Sequence, residues 1–351
     1  MLNLTYANPI DENTAKTVGQ NFLFGKSSSN VKTSLKLARR VTLERAKTIN
    51  NSADGAFYIF NSPSSQGFVI VSASDNVTPI LGYSYTGSID PDNINPACKA
   101  WLDNYKEQIQ YVVDNNLQAT EKIKDQWQRL QIAKNKEATV VVAPLIQTKW
   151  GQGKYYNFYC PVDADAGSGF DDKCPTGCGA TAMAQIMKYW EYPIKGSSNH
   201  SYTPKTHPEY GVLSADFGNT TYNWENMSYI VNSFNFDVAK LMFHCGVAVE
   251  MDYTPSVSTS NFAGTMSIEH ALRVGFNYDP SAMLLKREDS QYWDDNNWIT
   301  LIKHDLNLAQ PVLYRGADAD NNNGHIWVCD GYNSEDQIHM NWGWEGNSDG
   351  Y

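Results

Sequence analysis

Two side chains far apart in the chain could together perform nucleophilic acyl transfer: the thiol of Cys178 and the imidazole of His325. Cys178 opens the run Cys178-Gly-Ala-Thr-Ala-Met-Ala-Gln-Ile-Met-Lys-Tyr-Trp190, which reads as a buried helix with a thiol in its first turn. Unpaired backbone N–H groups and the macrodipole favour negative charge at a helix N-terminus, so a thiolate forms more easily there. Pro175-Thr-Gly177 turns tightly into that helix and leaves neighbouring N–H groups able to receive an oxyanion. His325 stands between a polar loop, Asp320-Asn-Asn-Asn-Gly324, and a strand-like run, Ile326-Trp-Val-Cys-Asp330. A loop–strand junction suits a cleft residue, and an imidazole beside the thiol supplies the base for attack and the acid for departure. The remaining histidines (His200, His207, His244, His270, His304, His339) lack this setting, and none is paired at the i, i+4 spacing of a metal helix.

The elements that must position this pair fall into two domains, 1–139 and 140–351, with the boundary between residues 134 and 145. The first reads as a helix from Asp11 to Phe24, a basic stretch Ser34 to Arg40, and a hairpin of Ala56–Phe60 and Gly67–Ser72. One more strand at Pro79–Ser84 and a single long amphipathic helix from about Ala97 to Lys134 complete it. In the second, helices are expected at Cys178, at Asp237–Val249, at Met266–Val274 and at Trp298–Leu308. Strands follow at Pro311–Arg315, His325–Cys329 and Asp336–Met340. A helical half followed by an antiparallel sheet is an α+β arrangement. Thr139-Val-Val-Val-Ala-Pro144 is extended, since proline biases its predecessor away from helix.

Composition narrows the partners. The 351 residues are 42% hydrophobic and 19% charged, as in ordinary globular chains, and the 21 Tyr and 10 Trp suit a loop-rich core and cleft walls. A net charge of −11 leaves no basic stripe for nucleic acid. No run approaches the roughly 20 apolar residues of a membrane span, and no signal peptide is visible at the start. The six cysteines, Cys98, Cys160, Cys174, Cys178, Cys245 and Cys329, form no paired zinc-site pattern. Cys245 and Cys329 read as buried structural thiols, and Cys160 and Cys174 could bridge the loop between them. Asp318-Ala-Asp-Asn-Asn-Asn-Gly324 lacks Gly at the sixth and Glu at the twelfth position of a calcium loop, and Asp163–Asp172 reads as a solvated rim. No cofactor and no metal are called for.

Taken together, Thr176-Gly-Cys-Gly-Ala-Thr-Ala-Met-Ala-Gln-Ile-Met-Lys-Tyr189, Gly324-His-Ile-Trp-Val-Cys-Asp-Gly331, Asn341-Trp-Gly-Trp-Glu-Gly346 and Met251-Asp-Tyr253 resemble the streptopain family of secreted papain-like cysteine peptidases. The resemblance implies a papain-like catalytic domain with a helical lobe and an antiparallel sheet lobe. Gly67–Ala73, Pro79–Tyr83 and Trp101–Tyr105 are similar to that family's smaller α+β inhibitory propeptide. The chain is thus expected to be a cysteine endopeptidase zymogen, secreted, cut near residues 134–145, and acting on protein or peptide substrates with its own propeptide as inhibitor. In the resembled family the domain continues past Tyr351, so the chain is expected to be truncated there.

By position, the resemblance makes Cys178 the nucleophile, His325 the base and later acid, Trp342 a shield beside the imidazole, and Trp344 part of the substrate cleft. It also implies broad protein substrates with an apolar residue at P2, the loop Thr254–Ser260 being a candidate wall. Papain-like enzymes carry a Gln oxyanion donor six residues before the nucleophile; here that position is Asp172, which cannot donate unless protonated. Asp172 favours the alternative of a catalytically inert inhibitor or binding module of the same fold. A second alternative keeps the Cys–His chemistry but transfers the acyl group to an amine.

Overall fold

The computed structural model describes residues 9–24, 34–44, 55–63, 67–92, 94, 96–132, 139–260, 267–287, 294–317 and 324–351. Residues 318–323 of the loop weighed as a calcium site, Met266 and residues 134–138 of the 134–145 segment lie outside them. The chain divides into two compact units: Met1–Thr139 with Asn347–Tyr351, and Val140–Gly346.

In the first unit four antiparallel strands pair in chain order: β1 (Lys36–Thr42), β2 (Gly55–Asn61), β3 (Phe68–Ser72) and β4 (Ile80–Ser84). The two-residue alternation of a strand sends Tyr58, Phe60, Val69 and Val71 into one core with helix α1 (Glu12–Phe24) and Trp127. Phe57, Ile59, Phe68 and Ile70 enter a second core with Leu102 and Ile109. Those two residues lie on α2 (Pro96–Asp114), whereas Trp127 lies on α3 (Glu121–Gln131). The expected single helix from Ala97 to Lys134 is therefore two helices. Asn116 takes a left-handed φ of 49°, and the Thr120 side chain caps α3 by accepting the Ile123 N–H. The break lets the segment serve both sheet faces. The basic stretch Ser34–Arg40 is largely strand β1, a pairing its charge concealed. Tyr351 exchanges N–H···O bonds of 2.8 Å with Tyr83, covering the outer edge of β4.

In the second unit α4 (Cys178–Trp190) packs against α5 (Phe236–Ala248), while α6 (Ile268–Val274) and α7 (Asp295–Asn307) are shorter-reaching supports. Residues Gly179 to Lys188 of α4 are all buried, as expected of a helix apolar all round. Its one cation, Lys188, is satisfied by Glu191 at 2.6 Å and the Trp224 carbonyl at 2.7 Å. The sheet is built on β9 (His325–Asn333), buried along its whole length. β8 (Val312–Gly316) pairs along His325–Cys329, and β5 (Val140–Val142) continues at Tyr332 and Asn333. β10 (Ile338–Asn341) pairs from the other side. The short hairpin of β6 (His200–Tyr202) and β7 (Leu213–Ala215) had no visible sequence signal. Asp330, fully buried, ties the entry segment to β9. Its carbonyl accepts the Leu145 N–H at 2.9 Å, and its carboxylate accepts the Ile146 N–H at 3.0 Å and meets His339 Nδ1 at 2.6 Å.

His244 on α5 is buried, with Nδ1 2.9 Å from the Tyr222 hydroxyl. Burial, with a smaller push from Lys240, lowers its pKa from 6.5 to about 4. Between those values the unfolded chain binds a proton that the folded one refuses, so stability falls as pH drops from 6.5 to 4. At about 1.4 kcal/mol per unit, this costs roughly 3 kcal/mol. Urea unfolding of wild type and His244→Gln between pH 7 and 4 should show the acid loss reduced in the variant; parallel curves would contradict it.

Candidate active site

Cys178 is the first residue of α4, and the residue before it explains how. Gly177 holds φ 85°, and a Cβ there would lie 2.6 Å from Met251 Sδ and 3.0 Å from the Ser258 carbonyl. Only glycine makes this turn without strain. Ser258 Oγ donates to the Pro175 carbonyl at 2.7 Å, so the Thr254–Ser260 loop braces the turn before Cys178. Cys178 keeps some exposure as a residue, but its sulfur is enclosed. Burial raises the thiol pKa. The backbone N–H groups of Ile326, Gly179 and Cys178 and the charge of Arg315 work in the other direction without overcoming it. The expected ease of thiolate formation at the helix end is present and outweighed.

His325 opens β9 and is buried. Its Nε2–H donates to the Trp342 carbonyl at 3.0 Å, which leaves Nδ1 with the lone pair in the neutral ring. Three indoles stand about it: Trp342, Trp344 and Trp327, each with its ring centroid 6.1 Å away. Burial lowers its pKa to about 4, the Trp342 hydrogen bond acting the other way. In this form the pair is thiol and imidazole, both uncharged near neutral pH.

A buried amide network sets the parts in register. Gln185 of α4 accepts from Thr148 Oγ1 at 2.8 Å and donates to Asn341 Oδ1 at 3.0 Å. Asn341 Nδ2 in turn donates to the Thr148 carbonyl at 3.0 Å. The Cys178 helix, the segment entering Trp150-Gly-Gln152 and the β10 end that leads to Trp342 are thereby held together. Each donor and acceptor is used, so a shift of one element would orphan buried polar groups.

The Peptidase C10 family matches residues 150–351, and the Spi protease inhibitor family matches residues 7–109. The chain belongs to the Peptidase C10 family. It is 31% identical over 369 residues to streptopain of Streptococcus pyogenes, covering 98% of this chain and 87% of that protein. It is 28% identical to the thiol protease/hemagglutinin PrtT of Porphyromonas gingivalis, covering 99% of this chain and 39% of that one. Among solved structures, a Prevotella intermedia prointerpain A fragment matches with TM-score 0.67 and 30% identity, covering 89% of this chain and 90% of the other. Active interpain A cysteine protease matches with TM-score 0.53 and 35% identity, over 60% and 85%. The fold is papain-like, and the chain is a cysteine endopeptidase zymogen with an N-terminal inhibitor domain.

In this C10 peptidase Asp172 makes its hydrogen bonds through its backbone, within the 163–172 loop. It is exposed on a left-handed turn (φ 52°), its N–H bonded to the Gly167 carbonyl and its carbonyl to the Asp163 N–H. The turn-rich loop 163–172 interrupts the spacing, so counting back six residues lands in solvent. The backbone of Gln152 is joined to the turn before Cys178, its carbonyl accepting the Thr176 N–H at 3.0 Å. Gln152 is buried, and its Nε2 has no hydrogen-bond partner among the described residues. Trp344 Nε1 is likewise buried and unpartnered among them. Ser260 Oγ, beside Gly179, is a third such group, and buried polar atoms of this kind call for an explanation. The flanking glycines of Gly151-Gln152-Gly153 were the one sequence hint, and Trp327 was overlooked as ordinary strand. All six cysteines carry free thiols, Cys160 and Cys174 included.

Proposed function

We propose that Cys178 Sγ attacks the peptide carbonyl while His325 Nδ1 takes its proton, and that the imidazolium then protonates the leaving amine. Water activated by His325 hydrolyses the thioester. The observation that carries this reading is the tautomer of His325: its Nε2–H donates to the Trp342 carbonyl and leaves Nδ1 as the base, at the head of a strand whose next residue, Ile326, packs against the start of α4. Trp342 shields the ring and Trp344 lines the cleft, their indole faces favouring the transient imidazolium.

Gln152 Nε2 and the Cys178 N–H form the oxyanion hole in this scheme. Gln152→Ala and Gln152→Glu should each lower kcat by roughly 10²–10³-fold, with KM little changed. A loss confined to KM would remove Gln152 from that role.

The inhibitory propeptide extends to residue 139 and the peptidase begins at 140. The scissile bond lies before Val140, because Val140–Val142 is paired with β9 and Leu145 and Ile146 are anchored on Asp330. The released propeptide segment is the peptidase's own inhibitor, and the substrates are proteins in the extracellular space. Among the described residues no helix is long and apolar enough to cross a membrane. Incubation with reductant, followed by N-terminal sequencing of the large product, tests the boundary. A new terminus within 133–140 supports it, and one beyond Val142 contradicts it. Labelling by an epoxysuccinyl inhibitor must fall on Cys178.

A further inference from the structure

Two hydroxyls beside the nucleophile have no part in the chemistry proposed above. Thr176 and Thr181 flank Gly177-Cys178, both are buried, and their Oγ1 atoms lie 2.9 Å apart. Thr181 Oγ1 also donates to the Gly177 carbonyl at 3.1 Å, which already accepts the Thr181 N–H at 3.1 Å. A threonine hydroxyl has one proton. That of Thr181 is spent on Gly177, so Thr176 is the donor between the two hydroxyls. The order therefore runs from Thr176 through Thr181 to the Gly177 carbonyl. Threonine hydroxyls often bond the carbonyl four residues back in a helix. Here that carbonyl belongs to the peptide that bears the nucleophile's own N–H.

The Gly177 carbonyl and the Cys178 N–H are opposite ends of one planar peptide. Two donors on the carbonyl fix the plane, and with it the direction in which the N–H points. The hold matters because Gly177, at φ 85°, has no Cβ to restrict how its peptide turns. A carbonyl that accepts hydrogen bonds also polarises its peptide, which strengthens the N–H at the other end as a donor. The Thr176 N–H, bonded to the Gln152 carbonyl at 3.0 Å, joins the same pair to the segment that carries Gln152. On its other side the Thr181 methyl limits the space at Gly343, between Trp342 and Trp344. A Cβ there would come within 3.0 Å of Thr181 Cγ2. Valine at 181 would keep this shape and lose the hydroxyl alone.

We infer that the Thr176–Thr181 hydroxyl pair aims the Cys178 N–H at the oxyanion, with Thr181 a positioning residue acting through the Gly177 carbonyl. This role deepens the proposed function and rests on its placing of that N–H in the oxyanion hole.

The test uses the full chain after maturation in reductant, with active sites counted by epoxysuccinyl titration. Wild type, Thr181→Val, Thr181→Ser and Thr176→Val are compared in kcat and KM on one peptide, in affinity for a peptide aldehyde, and in the rate of epoxysuccinyl inactivation. The aldehyde carbon accepts the Cys178 sulfur and leaves its oxygen in the oxyanion position, whereas attack on an epoxide forms no tetrahedral carbonyl adduct. Thr181→Val should lower kcat about ten-fold or more, with KM little changed. Aldehyde affinity should weaken by a similar factor, while epoxide inactivation stays close to wild type. Thr181→Ser should recover most of kcat. Thr176→Val, which leaves the Thr181 bond to Gly177 in place, should show the same pattern at about two- to five-fold, and it carries the test if Thr181→Val does not fold. Unchanged kcat in both valine variants overturns the inference. So does epoxide inactivation that falls as far as kcat, which would mean that the whole turn had moved, or a serine variant no better than valine. If wild type takes no epoxysuccinyl label at Cys178, or binds the aldehyde no more tightly than the corresponding alcohol, the proposed chemistry itself fails and this role with it. With both intact, the failure belongs to the hydroxyl pair alone.

Discussion

Cys178→Ala leaves a chain that folds, stays full length in reductant and hydrolyses no peptide at a measurable rate. The expected fall in kcat is on the order of 10⁶-fold, the scale seen when a covalent nucleophile is removed and only binding and the oxyanion hole remain. Stability should change little. The thiol makes no hydrogen bond on which the helix depends, Gly177 sets the turn, and the residues that lock α4 in place are Gln185 and its partners. Intact mass and thermal unfolding of both forms, followed through the maturation assay, decide the matter. A variant that still sheds its first 130-odd residues would show cutting by a contaminant or another group. One that unfolds would show Cys178 to be a packing residue.

His325→Asn should lower kcat/KM by about 10⁴-fold or more, since base and acid are lost together. The sharper signature is in alkylation. In the mature wild type, once water reaches the site, transfer of the thiol proton to Nδ1 is expected to provide thiolate near neutrality. In the variant the Cys178 thiol keeps a pKa that burial has raised, so the pH profile of iodoacetamide alkylation should move to the alkaline side. Stability should respond in the opposite sense. Burial holds His325 neutral down to about pH 4, against 6.5 in the unfolded chain. The wild type loses stability as pH falls through that window, by the same sign argument as for His244. Asn carries no such group, so the variant should be the more acid-resistant form. An unshifted alkylation profile would separate His325 from the thiol. Water admitted to the site lowers the thiol and raises the imidazole, so activity is expected to depend on the openness of this site.

The parts of the site that were legible in the sequence are those in which one short run carries both the element and its chemistry. Cys178 is legible because glycine before it and small apolar residues after it define a helix start. His325 is legible because a polar loop meets an apolar strand there. Both begin their elements in the structure. Gln152 was not legible, since its neighbourhood to Cys178 arises from the Thr176 N–H···O bond across an irregular loop, and no spacing rule survives such an insertion. Arg315 was invisible for a similar reason: strand register, not sequence distance, sets it opposite Ile326. In the first unit, amphipathic spacing ran on through Asp114–Glu121, because helices serving opposite sheet faces can share a continuous pattern. The break shows only in Asn116 and the Thr120 cap.

The anchoring of β5 on β9 also bears on the lifetime of the mature enzyme. Maturation ends at a new amino terminus, and exopeptidases or a second cut would shorten it residue by residue. Removal of Val140 and Val142 uncovers the sheet edge beside Tyr332 and Asn333, and loss of Ile146 strips a donor from the Asp330 carboxylate. The strand so undermined is the one that begins at His325. Trimming a few residues too far would therefore silence the enzyme with its catalytic pair chemically intact. The hold of one short edge strand is therefore expected to set how long activity persists after release.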